Sequence, residues 1–189
     1  MKKIELVYRE ILYQAMEKRN RKLTQAGLAK SLHISLSTVN HAMKPLKSMG
    51  AVRIRLRNFE VVDIRKILFY WASIRNLEKD IIYKTRAEGS ASDMEKRMPG
   101  GIAFGAYSAY KFMFKNMPAD YSEVYVYAND LEEIKKRFPE NKNVPNLFVL
   151  KWEADKMTIA NIFVDLWNLK EWYAKEFLKE LEGRISKVV

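Results

Sequence analysis

Two short apolar-periodic segments, each opened by a capping residue and divided by a brief turn, constrain this chain more than any other stretch. Thr24 has a side chain suited to a helix N-cap, and Leu23 before it and Leu28 after it are spaced as a hydrophobic staple. The spacing predicts a helix from Gln25 to about Ser31. Leu32-His33-Ile34-Ser35 reads as the turn, with Ser35 capping a second helix that runs to about Met49. On that helix Leu36, Val39, Met43 and Leu46 recur at steps of three and four, so they are expected on one buried face. Ser37, Thr38, Asn40, His41, Lys44 and Lys47 are left facing outward, a set that is short, polar and basic.

A hairpin follows. Gly50 ends the second helix, and Ala51-Val52-Arg53-Ile54-Arg55-Leu56 alternates with period two. Val52, Ile54 and Leu56 are expected on one face, with Arg53, Arg55 and Arg57 on the other or at the turn. Arg57-Asn58 is expected to make the turn, since Asn tolerates a positive φ, and Phe59 to Val62 returns. In this order of helix, turn, helix and hairpin, the stretch LTQAGLAKSLHISLSTVNHAMKPLKSMGAVRIR resembles winged helix-turn-helix transcription regulators of the MarR and ArsR kind. The resemblance implies that the second helix enters a DNA major groove and that the hairpin is the wing. Three residues depart from the usual pattern. Gly27 stands where a capping box would place Glu, and should weaken the first helix slightly. His33 replaces a turn Gly, but His is among the residues enriched at positive φ. Pro45 removes the hydrogen bond to the carbonyl of His41 and should bend the second helix.

Charge is informative once it is located. Of the net +11, residues 1 to 66 hold 15 Lys plus Arg against 5 Asp plus Glu, a net +10. Residues 67 to 189 hold 19 against 18, a net +1. Nearly all the excess therefore falls where phosphate contacts and counterion release would use it. There is no Cys, which excludes disulfides and thiolate metal sites. No apolar run is long enough to span a bilayer, and Met1-Lys2-Lys3 leads into an amphipathic helix rather than an apolar signal region. The expected location is cytoplasmic, without membrane association.

Around the central motif, Met1 to about Lys18 reads as a supporting helix buried through Ile4, Val7, Tyr8, Ile11, Leu12 and Ala15. Glu17 to Lys22 reads as a basic connector. Asp63 can cap a helix from Ile64 to about Glu78, with Ile64, Ile67, Leu68, Trp71, Ile74 and Leu77 inward and Phe69 and Tyr70 on its flanks. Its wide apolar stripe suits a linker packed between two domains; a dimerisation helix is the alternative. Beyond it, strands are expected at 81–85, 123–127 and 146–152. Helices are expected from Tyr107 to Phe114, from Leu131 to Phe138, and from about Thr158 to Ile185 with a break near Asn168. Arg86 to Asp93 reads as a loop. Strands alternating with helices imply an α/β or α+β module.

The segments GGIAFGAYSAYKFMF, SEVYVYAND, PNLFVLKWEAD and IFVDLWNLKEWYAKEFLKELEGRI follow the order seen in C-terminal domains of AbiEi-family antitoxins, to which this half of the chain is similar. That resemblance implies a regulator that represses its own operon and opposes a nucleotidyltransferase toxin. A transferase activity of the chain itself would need paired carboxylates to hold two metals. The strand near Gly100-Gly101 offers only Glu123, followed by Tyr125 and Tyr127, while Asp130 and Asp165 lie elsewhere and Asp165 is expected to cap or anchor the last helix. His33 and His41 have no Cys or neighbouring carboxylate to complete a metal site. Ser108 lacks the Gly-x-Ser-x-Gly elbow. Trp152, Trp167, Trp172 and Tyr173 could line a ligand pocket, but core packing is the expected role.

The fold class read from the sequence is α+β: a winged helix-turn-helix (1–66), a connecting helix (67–78) and a C-terminal α/β module for regulation or partner binding (79–189). The expected function is sequence-specific regulation of transcription through double-stranded DNA, repressing its own operon. The alternative is an antitoxin whose DNA binding serves autoregulation. Ser37, Thr38, Asn40, His41, Lys44, Lys47, Arg53, Arg55 and Arg57 are the expected DNA contacts. A toxin-like protein partner or self-association is expected of the C-terminal module. No catalytic residue, metal or cofactor is expected.

Overall fold

A computed structural model describes residues 1–186, so the end of the expected second domain, 187–189, lies outside the described residues. The chain divides into two compact units. The first is Met1–Arg75 with Thr158–Ala160 and the residues from Glu182 onward; the second is Asn76–Met157 with Asn161–Leu181.

In the first unit, α1 (Lys3–Met16) packs on α3 (Leu36–Ser48) and α4 (Ile64–Ile74), with α2 (Gln25–Ser31) against α3. The expected stripe of α1 is buried at Val7, Tyr8, Ile11, Leu12 and Ala15, and half-buried at Ile4. These side chains close a core with Val39, Leu46, Phe59, Ile67 and Trp71. Each fully buried side chain of this size contributes about 1.5–3 kcal/mol by leaving water. Strands β1 (Lys22–Leu23), β2 (Val52–Ile54) and β3 (Phe59–Val61) form an antiparallel sheet in the order β1-β3-β2. The connector therefore ends in a strand that alternation could not show, because two residues have no period.

Polar burial fixes the ends of this unit. The Glu5 carboxylate is buried, accepts from Trp71 Nε1 at 3.1 Å and from the Lys2 amide at 3.2 Å, and pairs with the buried Arg75 guanidinium at 3.3 Å. An ion taken out of water requires such partners. Beside it, burial pushes the Tyr8 hydroxyl above its ordinary pKa, helped by Tyr70 and Glu5. The helix capped by Asp63, which accepts from the Lys66 amide at 3.0 Å, stops at Ile74 rather than near Glu78. Arg75 is extended, and Asn76 caps a separate 3-10 turn, Leu77–Asp80. Asn supplies this local alternative to helix continuation.

The second unit is built on a four-stranded sheet in the order β4-β7-β6-β5, from β4 (Ile81–Thr85), β5 (Ala103–Phe104), β6 (Val124–Ala128) and β7 (Leu147–Lys151). β6 and β7 run parallel, joined across α7 (Glu132–Arg137), and the other pairs are antiparallel. Val124, Val126, Leu147 and Val149 form one buried face with Met94 of α5 (Ala91–Arg97) and with Ile134 and Phe138. The opposite face carries Tyr125 and Tyr127, with α6 (Ala106–Phe114), α8 (Ile159–Trp167) and α9 (Ala174–Ser186) supplying its aromatic and carboxylate neighbours. The break between α8 and α9 falls at the expected place. One short helix was not legible as such. Residues expected to be loop up to Asp93 turn helical at Ala91, because Ser90 and Asp93 form a capping box. α6 ends at Lys115 in a left-handed conformation, φ 53°, before Pro118 is reached.

Candidate nucleic-acid interface

The two helices of the motif start where their caps require. Thr24 Oγ1 accepts from the Gly27 amide at 2.9 Å, and Ser35 Oγ accepts from the Thr38 amide at 3.1 Å. A Cβ at Gly27 would lie 2.8 Å from Thr24 Oγ1, so the residue that lowers helix propensity leaves room for the cap. His33 holds φ 52° in the turn, as its residue type allows.

At about 100° per residue, Ser37, Asn40, His41, Lys44 and Lys47 occupy an arc of about 120° on α3. All five are exposed and meet no side-chain partner among the described residues. Val39, Ala42, Met43 and Leu46 fill the opposite arc. Two expectations need correction. Thr38 is half-buried, its hydroxyl sharing a 2.9 Å hydrogen bond with Ser35, so it serves the cap. Leu36, expected in the core, is 48% exposed, because the first helical position lies at the edge of the buried arc. Near the other end, Lys66 Nζ donates to the Met49 carbonyl at 3.0 Å, a cation placed at a helix C-terminus.

The hairpin exposes all three arginines, as the alternation implies, but its turn falls one residue earlier than expected. Arg53 lies opposite Glu60 in register, and Lys22 flanks Glu60 from the other side. Arg55 donates its amide to the Asn58 carbonyl at 2.8 Å, closing a tip of Leu56 and Arg57. Asn58 thus pairs instead of turning, and its φ is not positive. Arg55 also meets Glu60 at 3.5 Å, an exposed pair worth about 0–1 kcal/mol. Ile54 and Leu56, expected on one face with Val52, are exposed; only Val52 reaches the core. Lys22, expected only in a basic connector, joins this surface because β1 pairs with β3.

Outside this surface, two of the three carboxylates weighed for catalysis are engaged by tyrosines, while Asp130 accepts from the Glu132 amide at 2.9 Å. Asp165, expected to cap or anchor the last helix, lies inside α8 and accepts from Tyr127 at 2.7 Å. Glu123 accepts from Tyr173 and from Ser122. Ser108 is buried within α6. Among the described residues, no cluster of three His, Asp or Glu is placed to hold a metal ion, and no helix is long and apolar enough to cross a membrane.

With two capped helices, a turn at positive φ and a basic hairpin, the arrangement can be set against known proteins. The family model of winged helix-turn-helix DNA-binding domains matches residues 9–53. The chain carries a winged helix-turn-helix DNA-binding domain. The match runs from within α1 through α3 into β2, so it includes every expected contact on α3 and reaches the hairpin at Arg53. No curated protein and no solved structure matches the chain.

Proposed function

We propose that this chain is a sequence-specific transcriptional regulator that binds double-stranded DNA and represses its own operon. One observation carries the reading: the exposed face of α3 and the wing hold polar and basic side chains, within a region that has +10 of the +11 charge. Asn40 and His41 meet base edges, and Lys44, Lys47, Arg53, Arg55 and Arg57 meet phosphates. Selection from random duplex DNA with the full chain should recover a defined site, bound with a steep loss of affinity as salt rises. Recovery of no site, or affinity indifferent to salt, would refute the proposal. Repression is tested with a reporter driven by the chain's own upstream region.

A second reading, an antitoxin that holds a nucleotidyltransferase toxin, draws support from the second unit. Trp167 and Trp172 were expected in the core, but Trp172 is 72% exposed and Trp167 is also exposed. Aromatic residues are enriched in protein interfaces. Co-expression with the product of a neighbouring transferase gene, with cell growth as the readout, separates this role from regulation alone. In either role the chain acts without catalysis: nucleotide transfer with magnesium or manganese is expected to be absent.

A further inference from the structure

The wing tip carries an apolar side chain where the surrounding chemistry is cationic. Val52, Ile54 and Leu56 belong to one row of the hairpin, and their exposures rise from 5% to 42% to 98%. The row begins on the core, leaves it, and ends in water. A lone exposed Leu is ordinary on a protein surface. This one occupies a tip of two residues, next to Arg57 and between it and Arg55, with Arg53 two residues further back.

We propose that Leu56 is an apolar wedge that seats in the DNA minor groove at a base step, drawn there by Arg55 and Arg57. The inference rests on the DNA-binding reading above and adds the groove, the atom type and the distortion. A minor groove about 6 Å wide admits the tip of a hairpin but not its full width. Its negative potential attracts arginines, most strongly where A·T pairs narrow it. Apolar side chains in that groove press between base steps, partly unstacking them and bending the duplex. Positive charge around the tip makes nucleic acid, rather than an apolar protein surface, the matching occupant.

The test uses the full chain and the duplex recovered by selection, with 2-aminopurine placed in turn at each flanking step. Wild-type binding should raise fluorescence at one flanking step. Leu56→Ser should lose that signal and weaken binding by about ten- to hundredfold, the range set by the apolar area of one leucine. Its salt slope should not change, because no charge is removed, whereas Arg57→Ala should lower the slope by about one. Leu56→Met should restore most of the fluorescence and the affinity. Because Leu56 is almost wholly in solvent, its substitution leaves the fold intact, which circular dichroism verifies. Unchanged affinity and fluorescence in Leu56→Ser overturn the wedge while leaving DNA binding in place. A wild-type chain with no affinity for any duplex overturns both.

Discussion

The two units hold their inward carboxylates with different sets of partners. In the first, Glu5 is held by a full positive charge, Arg75, together with the neutral Trp71 indole N–H. In the second, Asp165 accepts from Tyr127, and Glu171 accepts from Tyr107 and Tyr125. Burial, with Glu171 nearby, pushes the hydroxyls of Tyr107 and Tyr125 above their ordinary values, so they remain protonated donors. The first unit thus keeps one charge pair inside while presenting its many cations to solvent. The second nearly balances its charges and surrounds its carboxylates mainly with tyrosine hydroxyls, while buried Glu95 accepts from Tyr121 and also pairs with half-buried Lys111 at 2.6 Å. The difference matters for integrity because removing half of an ion pair strands the other half, whereas removing a neutral donor leaves one weaker deficit.

The sharpest way to break this contrast is Glu5→Ala, which should destabilise the protein by about 3–5 kcal/mol in urea unfolding, because Arg75 loses its buried partner. A loss below that of the next variant would reverse the ranking. Tyr127→Phe should cost about 1–3 kcal/mol by the same measurement, since Asp165 then lacks one donor. On the surface, Lys44→Ala should leave stability within about 0.5 kcal/mol, yet lower the salt slope of duplex binding by about one. Lys170→Ala, whose exposed cation pairs with Glu78 at 3.2 Å in the second unit, should change neither. The smallest effect concerns Asp93. Hydrogen bonds from Ser90 hold its carboxyl below the usual value. The folded pKa is the lower one, so the contribution is complete above the unfolded value near pH ~4 and fades as pH falls through the folded value. Asp93→Ala should therefore reduce amide-exchange protection in α5 at neutral pH and match the native chain in strong acid.

Much of the recognition motif was legible because its determinants are local. Thr24, Ser35 and Asp63 each cap the helix that follows, and His33 takes the positive φ its type permits. What failed depends on how far a core extends. Period two placed Val52, Ile54 and Leu56 on one face correctly, but cannot tell where the hairpin leaves the body of the domain. The tryptophans failed similarly: Trp167 and Trp172 have the composition of a core, but lie exposed at the junction of α8 and α9. Glu5 and Arg75 were missed because a single charged residue reads as surface unless its partner is known, and 70 residues separate these two. A fragment ending at residue 66 would omit both Trp71 and Arg75, the side chains that hold Glu5.

The composition of the first unit has a consequence for biosynthesis. Ile159 donates its amide to Glu17 at 2.9 Å, and Arg65 hydrogen-bonds Ser186, so late-made residues join an early-made domain. A ribosome adding roughly 5–20 residues per second reaches Glu182 on the order of 5–20 s after Arg75. During that interval Glu17 and Arg65 are without these two hydrogen-bond partners. The first unit is therefore complete only when the chain is nearly finished, and a prematurely terminated product would lack that completion permanently.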